Sequence, residues 1–385
     1  NRGAAYVFER GPDGQWAEQQ KFQAAYNLEG QRLSHFGEHL DLDDLGGETM
    51  MFGTPWINTS HIFTKQGTAW PEVATPVRSD GSSVSISGDF ALFDGIYTYH
   101  DDTPWESAHL YHRSCGNWSL VATLEVPQDL QGDPESLRRA MISGDTAVIA
   151  IPTATHEGTA DHGTAFIYDL PSLVNECAEC EADETALTAE LAAAQAAAYA
   201  ASATSGPIPD VTGDQLLHDD REANDNFGVA TAVSGDYAAI GGRGKDDSTG
   251  AAWIFERQLS GQWQEVTRLQ PLEAQSGDEF GLTVAVSGDT ALVGAPYSHF
   301  SATIADSGIV YAYARDPLTG NWSQTALLRP DDPTPGALFG WGLSIDGNTA
   351  VIGAAAHACE GFLYEEGEDA EGQDCGAAYV FERNN

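Results

Sequence analysis

The sequence predicts an all-β chain, a β-propeller of four-stranded antiparallel blades. Three observations carry this. Apolar residues alternate with polar ones in short runs such as Leu282-Thr283-Val284-Ala285-Val286, and the runs stop at Gly, Asp and Pro turns. One stretch, Phe280 to Arg315, holds three such runs in order, and weaker copies of it recur along the chain. The tight turn between its first two runs recurs as Ser87-Gly88-Asp89, Ser143-Gly144-Asp145, Ser234-Gly235-Asp236, Ser287-Gly288-Asp289 and Asp346-Gly347-Asn348, at spacings of 56, 91, 53 and 59 residues. A period near 55 with four strands per unit is that of a propeller blade, which buries its faces against its neighbours.

Taken in order, first strands open near residues 36, 83, 139, 227, 280 and 339. Third strands read Gly3 to Arg10, Ser60 to Lys65, Ala108 to Arg113, Gly163 to Asp169, Gly250 to Arg257, Gly308 to Arg315 and Gly376 to Arg383. Most lead through a Gly-x-Trp or related hairpin to a fourth strand, at Trp16, Trp70, Trp118, Trp263 and Trp322. The 91-residue spacing is one period plus an insertion of about 36 residues. Leu173 to Ser205 is rich in Ala, Glu, Leu and Gln and ends at Gly206-Pro207, so a helical insertion is expected at about 172–206, inside a blade hairpin. Residues 1–385 are read as a single propeller. The chain opens in mid-strand at Asn1-Arg2-Gly3, as a processed or truncated product does, with no signal peptide and no apolar run long enough to span a membrane.

Charge narrows the partners. Against 58 Asp and Glu stand 17 Lys and Arg, a net charge of −41. Such a polyanion is repelled by nucleic acid and by anionic membrane surfaces. It suits a solvating surface on a secreted or cell-surface protein, and it is compatible with carboxylates that serve metal sites. Five cysteines in strand-rich sequence suggest an oxidising compartment with two disulfides and one thiol. Cys359 and Cys375 bracket one acidic loop and form the best pair; Cys115 is placed to reach Cys177 or Cys180 of the CxxC in the insertion.

The repeat resembles the FG-GAP repeat, the blade of the integrin α-subunit propeller and of many bacterial extracellular proteins. Phe36-Gly37, Phe227-Gly228, Phe280-Gly281 and Phe339-Gly340 carry the first half of that pattern. Gly294-Ala295-Pro296 carries the second in full, with Gly53-Thr54-Pro55, Gly241-Gly242 and Gly353-Ala354 as partial matches. The resemblance implies seven blades; counting strands leaves six as the alternative, with Gln15 to Phe22 closing the last. It also implies a search for calcium loops between first and second strands, where closely spaced carboxylates satisfy a hard cation. Most copies have only Ser-Gly-Asp there, too short to encircle an ion, so Asp89, Asp145, Asp236 and Asp289 are read as turn residues bonding their own backbone. Asp41, Asp43, Asp44 and Glu48 are the exception and the calcium candidates, although Leu45 stands where a further carboxylate belongs.

Other constellations are weaker. His156, Asp161 and His162 read as a transition-metal set or, more simply, as a solvated loop. His218-Asp219-Asp220, Asp246-Asp247, Asp331-Asp332 and Asp101-Asp102 are acidic loop clusters. Trp56, Tyr97, Trp105, Tyr297 and Trp341 fall near second-strand exits and blade links, where an aromatic face stacks a sugar or receives a peptide side chain. The competing reading packs them between blades. Ser/His/Asp, P-loop and paired-carboxylate signatures are missing. The expectation is therefore a non-catalytic adhesion or assembly module with no cofactor beyond calcium, and a protein or glycan ligand at the cell surface. The alternatives are a lectin and a polysaccharide-active enzyme, and the terminal strands suggest head-to-tail self-association.

Overall fold

The computed structural model describes residues 4–10, 16–23, 39–42, 49–54, 59–66, 70–74, 83–94, 107–114, 117–125, 139–155, 161–170, 210–271, 273–358 and 376–383. They fall into two compact units, Asn1–Glu125 with Asp169–Thr212 and Val126–Tyr168 with Gly213–Asn385. In the first unit β1 (Ala4–Arg10) and β2 (Trp16–Gln23) pair as a two-stranded sheet. The first blade is β3 (His39–Leu42), β4 (Thr49–Thr54), β5 (Thr59–Thr64) and β6 (Glu72–Ala74). Phe22 of β2 packs onto its Met50, Phe52, Phe63 and Trp70. The second blade is β7 (Val84–Ser87), β8 (Phe90–Asp94), β9 (Ser107–Ser114) and β10 (Asn117–Glu125).

The second unit continues the series. Its blades are β11 (Arg139–Ser143), β12 (Thr146–Ile151) and β13 (Thr164–Asp169), completed by β15 (Asp214–Leu216); β16 (Phe227–Ser234), β17 (Tyr237–Gly242), β18 (Ala251–Arg257) and β19 (Trp263–Leu269); β20 (Thr283–Ser287), β21 (Thr290–Ala295), β22 (Ile309–Arg315) and β23 (Trp322–Leu328); and the three strands β24 (Phe339–Asp346), β25 (Thr349–Ala354) and β26 (Ala377–Glu382). The intervening β14 (Asp210–Thr212) instead lies parallel to β10 of the first unit's second blade. The fold is an all-β propeller type with six blade sheets among the described residues, the alternative count and not the favoured seven. The strand Gln15 to Phe22, expected to close the last of six blades, is paired as β2 with β1 in a two-stranded sheet, and the described sheet of the last blade has three strands. Among the described residues only Lys245–Ser248 is helical; the helical insertion expected at 172–206 lies outside them.

The repeat residues have distinct physical jobs. In each Ser-Gly-Asp turn the glycine takes the first central position at positive φ (58° at Gly88, 57° at Gly235, 50° at Gly288), which suits a two-residue type II′ hairpin. In three of these turns, at Asp89, Asp236 and Asp289, the aspartate reaches beyond the turn that the sequence assigns it to. It holds the arginine that ends the third strand: Arg113 Nε donates to Asp89 Oδ1 at 2.7 Å and Arg257 Nε to Asp236 Oδ1 at 2.9 Å, while Arg315 lies 3.5 Å from Asp289. Asn348 serves Arg383 in the same way at 2.9 Å. Arg113 and Arg257 also lie over the fourth-strand Trp118 and Trp263. These turn carboxylates are exposed, and such pairs contribute no more than about 1 kcal/mol each, so they set register more than stability. The serine stitches neighbours: Ser234 and Ser287 accept the N–H of Gly288 and Gly347 in the following turn.

At the other end of the blade, Phe227, Phe280 and Phe339 are fully buried. Each meets an aromatic of its own third strand edge-on: Trp253 at 5.2 Å, Tyr311 at 5.4 Å and Tyr379 at 5.4 Å. Burying such a ring stabilises by about 1.5–3 kcal/mol. Their N–H groups donate back to His162, Thr249 and Ser307 of the preceding blade. The next residue there is glycine because a Cβ on Gly163, Gly250 or Gly308 would meet the phenylalanine carbonyl oxygen at 1.9–2.0 Å. In these three blades the phenylalanine is thus the join to the blade before it.

Candidate functional site

The register of these joins lines up the segments around them. Three links run from the fourth strand to the buried phenylalanine: His218 to Phe227, Pro271 to Phe280 and Pro330 to Phe339. In the first two, an aspartate two residues before the phenylalanine folds the link on itself. Asp225 Oδ2 accepts from Glu222 N at 2.7 Å, and Asp278 Oδ2 from Gln275 N at 2.9 Å. The third link has Ala337 there, and its N–H bonds Thr334 O, as Asp278 N bonds Gln275 O. Facing each link is the loop after the second strand. In these three blades its third residue is buried: Lys245, Ser298 and His357.

In the β16–β19 blade this buried residue is a lysine, 1% exposed. A buried ammonium is costly unless paired and hydrogen-bonded. Lys245 Nζ donates to the Asp220 carbonyl and lies 3.2 Å from Glu222 Oε2, 3.4 Å from Asp225 Oδ2 and 3.7 Å from Asp220 Oδ2. His218 stands in the place of Pro271 and Pro330. Its ring is fully buried, 4.2 Å from Trp253 and 5.0 Å from Phe227. Nδ1 lies 2.9 Å from Asp220 Oδ1, and Nε2 lies 3.5 Å from Asp225 Oδ2 with no hydrogen-bond partner. Burial pushes the imidazole down to about 4, against the opposing pull of Asp220, and burial pushes the Asp225 carboxyl up. Arg268 forks between Asp220 and Asp246 while lying over Trp253.

Above this buried layer opens a cleft of about 420 Å³. Glu222, Asp225, Asp246, Asp247 and Glu279 line it, with Arg243 as the one cation on its wall. Its rim is locally strained: Asn224, Asn226, Asp246, Asp247, Ser248 and Glu279 all have φ between 52° and 66°. Non-glycine residues in this region persist only where their surroundings hold them. Here the bonds from Gly244 N to Asp225 O, and from Gly277 N and Glu279 N to Ser248 O, do so. Arg243 offsets Glu279 at 3.3 Å, whereas Asp247 accepts only through its carbonyl, from Ser276. Among the described residues no His, Cys, Asp and Glu set is placed to hold a metal ion. The arrangement suits a cationic group.

Of the residues marked from sequence, Tyr297 and Trp341 come together across adjacent blades, ring centroids 6.3 Å apart at 78°, with Trp341 46% exposed. Trp56, Tyr97 and Trp105 lie outside the described residues, as do Asp43, Asp44, Glu48, Cys115, Cys177, Cys180, Cys359, Cys375 and His156. Asp41 uses its Oδ2 on the next blade, accepting from Ser85 Oγ at 3.0 Å and Ile86 N at 2.8 Å. His162 is buried, not solvated, with Nδ1 at the Gly163 carbonyl. Sequence reasoning missed Lys245 and Asp225. Their signal is the link-and-loop register, visible once the blades are superposed in sequence.

The FG-GAP repeat model matches residues 214–255, 263–313 and 322–381, which include the three links and the loops after β17, β21 and β25. The chain carries FG-GAP repeats. No curated protein matches the sequence. Among solved structures it is similar to a functionally unknown protein from Desulfotomaculum acetoxidans DSM 771, at 12% identity over 88% of this chain and 82% of that one, TM-score 0.47. The periplasmic gluconolactonase of Pseudomonas aeruginosa gives 13% over 91% and 86%, TM-score 0.45. Kuenenia stuttgartiensis hydrazine synthase gives 11% over 86% and 78%, TM-score 0.46.

Proposed function

We propose that this FG-GAP repeat protein is a secreted or surface-exposed, non-catalytic binding module for adhesion or assembly. Its ligand contact is the cleft between the Glu222–Asn226 link and the Arg243–Ser248 loop, and the group it takes is a lysine or arginine side chain of a protein partner. The observation that carries this is the lining: five carboxylates, of which Glu222 and Asp225 share Lys245, Asp246 pairs with Arg268 and Glu279 with Arg243, on a rim held in left-handed backbone by its own hydrogen bonds. A rigid rim lowers the ordering cost of binding, and the net charge of −41 adds attraction for a basic partner.

The test is an array of Lys/Arg-containing peptides read against the intact protein. Binding is expected to weaken as salt is raised from 50 to about 500 mM, because exposed charges are screened over shorter distances. It is expected to fall at least tenfold in Asp246→Asn/Asp247→Asn. Salt-independent binding, or binding indifferent to that variant, refutes the reading. The exposed Trp341 against Tyr297 favours a lectin as the second reading. Glycan-array signal lost in Trp341→Ala, with a silent peptide array, decides for it.

A further inference from the structure

We propose that Lys245 and Asp225 are the partners of a self-formed amide bond, with Glu222 moving the proton, that ties the 218–226 link covalently to the 243–248 loop. The bond lies at the floor of the cleft, and it stands whether or not the cleft binds a cation.

Amide formation needs an amine, a carboxyl and a proton carrier, and the three meet here. Lys245 Nζ lies 3.4 Å from Asp225 Oδ2 and 3.2 Å from Glu222 Oε2. Both reacting side chains are 2% exposed, whereas that of Glu222 is 68% exposed and reaches them from the cleft. The fully buried His218 ring flanks Asp225, with Nε2 3.5 Å from Oδ2, and rests against Trp253 and Phe227. Backbone bonds fix the approach from both sides. Glu222 N–H donates to Asp225 Oδ2 at 2.7 Å, and Gly244 N–H to the Asp225 carbonyl at 3.1 Å. Lys245 Nζ also donates to the Asp220 carbonyl. Two groups held in this way react in a unimolecular step.

In water an ammonium and a carboxylate do not condense, because both are charged and solvated. Burial disfavours both charged forms. One proton passing from Nζ to Asp225 Oδ1 leaves a neutral amine beside a neutral carboxyl, with no net charge moved out of the pair. The raised Asp225 carboxyl fits this transfer. The amine lone pair then attacks Asp225 Cγ, forming the C–N bond. Oδ2 takes the developing negative charge, where the Glu222 N–H already donates to it. The Glu222 carboxylate accepts a proton from the nitrogen and returns it to Oδ1. The C–Oδ1 bond breaks, and water leaves into the cleft. The balance is one ammonium and one carboxylate giving one amide and one water, with no oxidant or cofactor.

The product keeps link and loop together and frees the Glu222 carboxylate from the ammonium. The neighbouring joins cannot make it. The next blade has Asp278 in the place of Asp225 but Ser298 in the place of Lys245, and the last has Ala337 and His357.

Intact-mass spectrometry of the whole chain, denatured and fully reduced, reads the bond directly. The expected mass is that of the sequence less one water. Trypsin cuts after Arg221, Arg243 and Arg257, so peptides 222–243 and 244–257 are expected to stay joined, uncut at Lys245, with fragments that place the link at Asp225. Lys245→Arg, which keeps the charge, and Asp225→Ala are expected to show the full sequence mass. Glu222→Gln keeps the backbone N–H and loses the proton carrier, so bond formation after folding is expected to slow by about 100-fold. The parent chain alone decides the matter if a variant folds poorly. A folded parent of full sequence mass with two separate tryptic peptides overturns the proposal. So does a water loss that persists in Lys245→Arg, the mark of an aspartate cyclised on its own backbone.

Discussion

Replacing Lys245 with Met keeps the length of the side chain and removes its charge. The ammonium is 1% exposed and serves Asp220, Glu222 and the equally buried Asp225. Glu222 and Asp220 are partly exposed and recover water. Asp225 is not, and it keeps only the Glu222 N–H. Breaking a buried pair from one side costs about 3–5 kcal/mol. For a unit of this size that is a drop of roughly 10 °C in the melting step of Val126–Tyr168 with Gly213–Asn385. The pH dependence is the sharper test. Asp225 already has a raised folded pKa because of burial. A carboxyl raised in the folded state binds its proton more tightly there than when unfolded, so the stability lost at neutral pH returns as pH falls. The deficit of the variant against its parent is therefore expected to shrink from pH 7 toward pH 4, since losing the ammonium raises that pKa further. Lys245→Met/Asp225→Asn is expected to recover all but about 1–2 kcal/mol at pH 7. Calorimetry at several pH values checks both. A deficit below about 1 kcal/mol at pH 7, or one that ignores pH, refutes the assignment of Lys245 as the counter-ion of Asp225.

Two further outcomes follow from the repeat. Gly250 and Gly261 have nearly the same φ, 89° and 85°, but a Cβ on Gly250 meets the Phe280 carbonyl oxygen at 1.9 Å and one on Gly261 meets nothing within 4 Å. Gly261→Ala is expected to cost only the backbone strain, about 1 kcal/mol, whereas Gly250→Ala exceeds it by at least about 2 kcal/mol because two blades must move apart; denaturant melts compare them. Burial raises the phenols of Tyr237, Tyr311 and Tyr379 to about 12, from the ordinary 10, and Glu256 and Asp332 reinforce it at Tyr237 and Tyr379. The unfolded chain then releases these protons first, so stability is expected to fall as pH rises from 10 to 12, with phenolate absorbance appearing together with unfolding and not before it.

The frame was legible because it is periodic. Phe280-Gly281, Ser287-Gly288-Asp289 and the Gly308 strand recur, and each recurrence repeats a physical need: a buried ring, a positive-φ turn, a close backbone approach. The Arg–Asp clamp was half legible. The aspartate was seen and given to its own backbone, because its partner lies 21 to 26 residues away and only strand pairing brings them together. Lys245 and His218 were not legible one at a time. Gly244-Lys245-Asp246-Asp247 and His218-Asp219-Asp220 have the composition of solvated loops, and composition does not report that two of these side chains are under 2% exposed.

What distinguishes the β16–β19 blade is a matched set of departures from its neighbours. Where they place Pro271 and Pro330 it places His218, and where the next blade places Ser298 it places Lys245. A lysine alone at that depth is unfavourable without carboxylates, and Asp225 alone is raised by burial. Each change offsets part of the cost of the other, which argues that they act as a unit. Ordinary blade packing does not require that unit, since the next blade makes the same join, with the Phe280 N–H on the Thr249 carbonyl, while a buried serine, Ser298, stands in the place of the lysine. The extra charges do accomplish one thing the neighbouring pair does not. They anchor a loop whose left-handed residues hold Asp246 and Asp247 at the cleft wall. Scaffold and site are therefore separable here: the residues that repeat join blades, and the residues that break the repeat shape the cleft.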